Sequence, residues 1–282
     1  MINLKSYKGE SFAFHKEVVK RKNNKSKDPN YKKRLNRLSD QVEHEYLGYK
    51  SNFDSNTLNL LTIQTFSIQE KNDLLSLYSY GSKKMQELKI EVTTTSSNRR
   101  IHACQNCTIN AVGSLDHLIP KDEFPAFSVN PLNLFPSCSS CNSYKGTHWK
   151  EGDKMLFLNL YLDTLPDLQY LFVDLIVDDD AVLANYSLQN SNGIDPDFFS
   201  LLESHYTKLH LLKRFQEASD SIISEMQNLI SAHRKRNFSI GIIREVVLDK
   251  INADRKYLGF NHYKLVLEEV LVCSDDFISQ YC

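Results

Sequence analysis

Residues 104–146 read CQNCTINAVGSLDHLIPKDEFPAFSVNPLNLFPSCSSCNSYKG, and the rest of the chain is organised around them. Two Cys-x-x-Cys pairs, Cys104 with Cys107 and Cys138 with Cys141, stand near its two ends with thirty residues between them. Each pair is a short turn that presents two thiolates to one ion, and two such turns complete a four-coordinate zinc site with no position left for water. A zinc held this way is structural, and it fastens the start and end of a unit too short to have its own core. Asp116, His117, Asn133 and Asn142 lie between the pairs or just after them. They add oxygen donors and one imidazole, a set that a purely structural knuckle does not need.

Outward from this stretch, the 282 residues allow one large core but more usually two or three parts. With 41% apolar and 24% charged residues the composition is that of a soluble globular protein, and 9 Gly and 7 Pro leave little room for long flexible linkers. The net charge of −1 hides an uneven distribution. Between Lys16 and Arg37 ten Lys or Arg face only Glu17 and Asp28, whereas residues 151–197 hold ten acids and one base, Lys154. The first tract is a candidate guide for nucleic acid, with a solvated face as the plainer reading. Six cysteines, four of them paired as above, read as a reducing compartment with a metal site, and Cys273 and Cys282 show no pattern. The N-terminal residues have no apolar leader and no run is long enough to span a bilayer, so the expectation is a cytoplasmic, unprocessed protein without membrane contact.

Residues 1–15 read as a strand or an arm, and Pro29 breaks any helix in the basic tract. Leu35, Leu38, Val42, Tyr46 and Tyr49 follow helical spacing. Asn56 or Thr57 is a candidate cap for a helix with Leu58, Leu61, Ile63 and Phe66 on its inner face. Ser67 and Glu70 form a capping box for a helix ending near Gly81, and Ser82–Val92 predicts another. The polar Thr93–Ser97 is the best candidate boundary, with Arg99 and Arg100 just beyond it. After an apolar run from Met155 to Leu162, Tyr170–Asp178 and Ala181–Leu188 predict a hairpin turning at Asp179 and Asp180. Asp195 and Pro196 start a long helix or two stacked ones reaching Ile230, and Ile240–Leu258 and Tyr263–Val272 predict two more. The expected fold is thus α+β and mainly helical, in three parts: 1–98, helical with the basic tract; 99–150, the metal stretch; and 151–282, a short hairpin and then helices.

Leu115 to Lys121 (LDHLIPK), Asn130 to Pro136 (NPLNLFP) and Cys138 to Gly146 (CSSCNSYKG) resemble the HNH endonucleases, also called His-Me finger or ββα-metal nucleases. The likeness covers about 45 residues, and the zinc-bearing branch of that family has two Cys-x-x-Cys pairs flanking the motif. It implies a two-stranded hairpin and a helix: Ala111–Leu115 closed by Asp116 and His117, Leu132–Phe135, and Ser139–Gly146. By the resemblance His117 is the general base, Asp116 and Asn142 hold one divalent ion, and Asn133 bonds the loop between the strands so that His117 is aimed. Asn142 replaces the family's histidine, and an amide oxygen tilts that site toward Mg²⁺ or Mn²⁺. The implied activity is hydrolysis of phosphodiester bonds, with DNA the expected substrate and low sequence specificity. Lys121, Lys145, Arg99 and Arg100 are candidate phosphate contacts. His102 and His148 read as bystanders, since four thiolates fill the zinc site, and Trp149 as a packing residue.

The rival reading is a zinc-ribbon module that binds nucleic acid or protein without catalysis; Asp116, His117 and Asn142 together argue against it, because a binder needs none of the three. A weaker resemblance, in overall layout, is to the HNH proteins of bacterial anti-phage systems such as Septu, some of which work beside an ATPase. It implies a defence effector with an ATPase or other regulatory partner, the alternative setting being a restriction or phage homing nuclease.

Overall fold

About half of the chain is helical and its strands pair in small antiparallel sheets, an α+β architecture. The computed structural model describes residues 1–24, 28–178 and 181–281. Lys25 and Lys27 of the basic tract, the turn at Asp179 and Asp180, and Cys282 lie outside the described residues. The chain packs as two units, one made of Asn3–Cys104 and Asn110–Asp163, the other of Met1–Ile2, Gln105–Ile109 and Thr164–Cys282.

In the first unit the N-terminal arm is extended, and the Leu4 amide donates to the Leu160 carbonyl (3.0 Å). A helix then starts inside the segment expected to be only strand or arm: α1, Ser11–Lys20. The Glu10 carboxylate caps it, accepting from the amides of Phe12 and Ala13, and Phe12, Phe14, Val18 and Val19 form its buried face. Pro29 separates it from α2 (Tyr31–Arg37), and α3 (Ser39–Asp54) follows across Leu38. Leu35, Leu38, Val42, Tyr46, Tyr49 and Phe53 all turn inward, as their spacing of three and four requires.

The helix expected from Leu58 to Phe66 does not form. Leu58–Leu60 makes one 3₁₀ turn and the chain runs extended to Ser67, with Leu60 and Ile63 exposed. Thr62, Ile63 and Thr65 are β-branched and lose side-chain freedom in a helix, so a short segment rich in them stays extended. The capping box then opens α4 (Ile68–Leu75): the Glu70 amide donates to Ser67 Oγ (3.3 Å), and the Ser67 amide donates to Glu70 Oε2 (2.9 Å). This helix stops well before Gly81, where the Ser76 hydroxyl donates to the Asp73 carbonyl (2.8 Å). Helix α5 (Lys83–Val92) begins at Ser82 as expected. The polar Thr93–Ser97 folds into a tight turn, in which Ile101 donates to the Thr93 carbonyl (2.9 Å) and Thr95 to that of Arg99 (2.9 Å).

Strands β1 (Ser114–His117) and β2 (Leu134–Ser137) pair antiparallel, Ser114 opposite Ser137 and His117 opposite Leu134. Each lies a little further along the chain than expected. Helix α6 (Ser139–Lys145) follows and ends at Gly146, whose φ of +53° suits a residue without a side chain. A minimal hairpin, β3 (Lys150–Glu151) with β4 (Lys154–Met155), comes next. The loop between β1 and β2 packs into an aromatic core: Phe127 meets Tyr49 edge to face (4.7 Å), and Phe124 meets Trp149 (5.5 Å). Trp149 is a packing residue, as read from the sequence.

The second unit contains the hairpin β5 (Leu171–Val177) and β6 (Val182–Leu188), paired from Leu171 opposite Leu188 to Val177 opposite Val182. Asp195 caps α7 (Pro196–Lys208), accepting from the Phe198 amide (3.0 Å). The apolar run beyond it is three helices, where one or two were expected. His210 adopts a left-handed conformation (φ +53°) before α8 (Leu211–Glu217), and Ala218 separates α8 from α9 (Ser219–Arg234). Helices α10 (Ile240–Leu258), α11 (Tyr263–Cys273) and α12 (Asp275–Tyr281) complete the unit. Its interior joins Tyr206, Phe215 and Tyr263, the last two stacked at 4.8 Å. Among the described residues no helix is long and apolar enough to cross a membrane.

Candidate functional site

The ligand atoms of Cys104, Cys107, Cys138 and Cys141 lie within 4.8 Å of one another, all four residues are buried and none is in a disulfide. Four thiolates at about 2.3 Å from one zinc ion would stand roughly 3.8 Å apart, so this quartet fits a tetrahedral metal. The Cys141 amide donates to Cys138 Sγ (3.4 Å), an N–H that favours the thiolate form a metal needs. His102 and His148 are exposed and outside the quartet, and the His148 ring nitrogen Nδ1 faces the Lys145 carbonyl (3.2 Å). Among the described residues Asp116 and His117 belong to no further cluster of three His, Cys, Asp or Glu; an ion beside them would rest on carboxylate, amide and water oxygens.

Asp116 and His117 end β1, and both are buried. The imidazole Nε2 is 2.9 Å from the Ser128 carbonyl oxygen. A carbonyl can only accept, so the proton sits on Nε2 and Nδ1 carries the free lone pair. The Tyr78 ring packs edge-on against the imidazole (4.8 Å), and its hydroxyl donates to the Leu115 carbonyl (2.6 Å). Ser128 is tied in turn, its hydroxyl donating to the Leu74 carbonyl (2.7 Å). Burial pushes His117 down to about 3, against the pull of the Ser128 carbonyl and with the help of the Lys121 and Lys145 charges. The ring is therefore uncharged at neutral pH.

Asn133 is wholly buried and uses both its donors and its acceptor on this frame. Oδ1 accepts from the Ile119 amide (2.9 Å) and the Tyr49 hydroxyl (3.2 Å), while Nδ2 donates to the carbonyls of Ile119 (3.1 Å) and Phe127 (3.3 Å). One side chain thus bonds both the start and the middle of the loop whose Ser128 carbonyl holds His117. Replacing it with alanine leaves buried main-chain groups without partners, at about 1–3 kcal/mol each. Asn133→Ala is expected to cost roughly 3 kcal/mol or more of stability. A urea melt checks this, and a change within about 0.5 kcal/mol, as at a neutral surface position, would count against the frame.

Helix α6 places Asn142 and Lys145 three residues apart on neighbouring faces of one turn. Lys145 was expected at a phosphate. The structure corrects this: its side chain is buried and Nζ donates to the His117 carbonyl (2.6 Å), with Asp116 Oδ2 at 3.7 Å. It lies on the inner side of a short helix, one turn after the buried Cys141, so its stem runs toward β1 and away from solvent. Burial raises Asp116 to about 6, opposed by Lys145, and the same burial lowers Lys145, opposed by Asp116. Asn142 is half-buried. Lys121 is half-buried with its ammonium over the Tyr78 ring (5.1 Å), next to the imidazole, and Arg99 and Arg100 are exposed in the turn that precedes Cys104.

Sequence reasoning missed Tyr49, Tyr78 and Ser128 as parts of this site. Tyr49 and Tyr78 lie far upstream and read only as apolar helix positions, and Ser128 contributes a carbonyl that any residue has.

No family model and no solved structure matches the chain. A segment of 78 residues, 27% of the chain, is 33% identical to the Septu protein PtuB of Bacillus thuringiensis and covers 30% of it. A longer segment of 189 residues, 62% of the chain, is 25% identical to protein ea31 of Escherichia phage lambda and covers 62% of that protein. In both cases the chain spans less than two thirds of the relative it matches, and it is distantly similar to each.

Proposed function

We propose that the chain is a metal-dependent endonuclease of the HNH type that hydrolyses phosphodiester bonds in DNA with low sequence specificity. The observation that supports this most is the imidazole of His117, with its proton turned to the Ser128 carbonyl and its Nδ1 lone pair left free. Asp116 precedes it in β1, and the helix that bears Asn142 is tied to the His117 main chain through Lys145. In this reading Asp116 and Asn142 hold Mg²⁺ or Mn²⁺, which when bound stabilises negative charge on the phosphate and on the departing 3′ oxygen.

His117 Nδ1 takes a proton from a water in line with the scissile bond, and the water oxygen attacks phosphorus. The P–O3′ bond breaks, and the 3′ oxygen leaves with its electron pair and is protonated from solvent. A low proton affinity would make His117 a poor base alone; the negative phosphate beside it supplies the charge that favours the imidazolium. Lys145 holds the β1 main chain at His117 and faces Asp116, and Lys121 keeps its ammonium over the Tyr78 ring that packs against the imidazole. Asn133 positions the loop and does not touch the reacting atoms.

The similarity to a protein named Septu PtuB supports an anti-phage defence setting, in which an ATPase or other regulatory protein is the proposed partner. The similarity to a phage lambda protein favours a second setting, a phage-borne nuclease. The chemistry is tested by plasmid relaxation. Supercoiled DNA is expected to be nicked or cut in Mg²⁺ and untouched in EDTA. DNA left intact in both conditions would leave the non-catalytic zinc module as the reading, and equal cutting in both would remove the metal from the reaction.

A further inference from the structure

A second feature of the first unit has no part in the chemistry above. Helices α1 and α2 and the start of α3 enclose an open cavity of about 300 Å³. Lys16, Lys20 and Lys32 line it together with Asn36 and Ser39, and no carboxylate is among its lining residues. Other cations of the basic tract are consumed by the fold. Arg34 grips Asp73 (2.6 Å) and Asp28 (2.6 Å), and Arg21 faces Glu87 (3.7 Å). The nearby Glu17 is held in an ion pair by Lys84. Lys16, Lys20 and Lys32 have no ion-pair partner among the described residues; Lys16 Nζ lies over the Phe12 ring (4.9 Å) and Lys32 Nζ donates to the Lys20 carbonyl (3.1 Å), contacts that leave the charges unneutralised.

We propose that this lysine-lined cavity is a binding site for the phosphate backbone of the nucleic acid. The proposal rests on the nuclease reading for the identity of its substrate. Three like charges converging on one cavity repel one another, and an anion seated there relieves that repulsion. Lys16 and Lys20 are one helical turn apart, about 6 Å along the axis, a spacing comparable with that of successive phosphates on a strand. Asn36 and Ser39 add neutral side chains that can donate to phosphate oxygens. Because every contact is to backbone, the site contributes affinity and register without reading sequence. Such a local cluster of cations can attract a polyanion although the net charge of the whole chain is −1.

The test uses the full chain carrying His117→Ala, which binds without cutting, and a short fluorescent duplex of arbitrary sequence read by anisotropy across a salt series. Adding Lys16→Gln, Lys20→Gln and Lys32→Gln is expected to flatten the slope of log K against log salt by roughly 2–3, at about 0.9 per phosphate lost. A control of the same charge change, Lys208→Gln with Lys235→Gln and Lys256→Gln, is expected to leave it within about 0.5 of the parent. Because Lys32 Nζ also donates to the Lys20 carbonyl (3.1 Å), the single Lys20→Gln, expected to flatten the slope by about 0.9, stands in if the triple variant does not fold. Equal slopes for groove and control variants, or no duplex binding by the parent, would overturn the proposal. Plasmid cleavage with indistinguishable slopes removes the groove and keeps the nuclease. A groove-dependent slope in a chain that cuts nothing keeps the groove and removes the nuclease.

Discussion

Cys141→Ser is expected to strip the bound zinc and lower the melting temperature by roughly 10 °C or more. Four buried sulfurs within 4.8 Å of one another are a pre-arranged ligand set, and each binds metal as a thiolate. Serine cannot replace the fourth thiolate, and the remaining three make an incomplete shell too weak to retain the ion. Because such a site exists only in the folded chain, the metal-binding free energy is folding free energy. A partial loss of about 3–5 kcal/mol corresponds to the shift above at about 2–4 °C per kcal/mol. The first-turn geometry makes Cys141 a sharp choice, since it lies in α6 and its amide is bonded to Cys138 Sγ. Elemental analysis should give about one zinc per chain for the wild type and near none for the variant. Cys273→Ser, at an exposed thiol at the end of α11, should leave both readings unchanged. Equal zinc content and melting in wild type and Cys141→Ser would show that the quartet binds nothing.

His117→Ala is expected to reduce Mg²⁺-dependent cleavage by about 10²–10⁴-fold, the usual worth of a positioned general base. The same change removes the donor to the Ser128 carbonyl and an edge contact to Tyr78, so a loss of stability accompanies it. His117→Gln separates the two effects. Its amide can still donate to the carbonyl, yet it has no basic nitrogen. A folded, zinc-loaded His117→Gln chain with cleavage reduced to the alanine level assigns the loss to proton transfer. Cleavage within twofold of wild type in both variants would remove His117 from the reaction.

What the sequence made legible was local. The capping box at Ser67 and Glu70, the Asp195 cap and the β5–β6 hairpin are decided by neighbours a few residues apart. The four cysteines were legible for the same reason, since each pair chelates within one turn. The hydrogen bonds of Asn133 to the loop were also expected, although its fourth partner, Tyr49, was not. Helix α1 was hidden because a glutamate caps it, outside the usual Ser, Thr, Asp and Asn, and because its charges drew the eye to solvent. The segment 58–66 misled in the opposite direction, its leucines matching a helix while its β-branched residues did not. Lys145 was misplaced because a positive charge near a proposed phosphate site reads as a phosphate contact, whereas the face of α6 it occupies decided the matter.

One consequence follows from the oxygen that holds the imidazole. It belongs to the peptide unit of residue 128, so no exchange of the side chain there can delete it. The choice of ring tautomer is thereby insulated from point mutation at its own contact position and depends on the course of the chain. Substitutions that abolish it should therefore concentrate where that course is set, at Asn133, at Tyr49 in a distant helix, and at position 128 only through the hydroxyl that ties the loop to the Leu74 carbonyl.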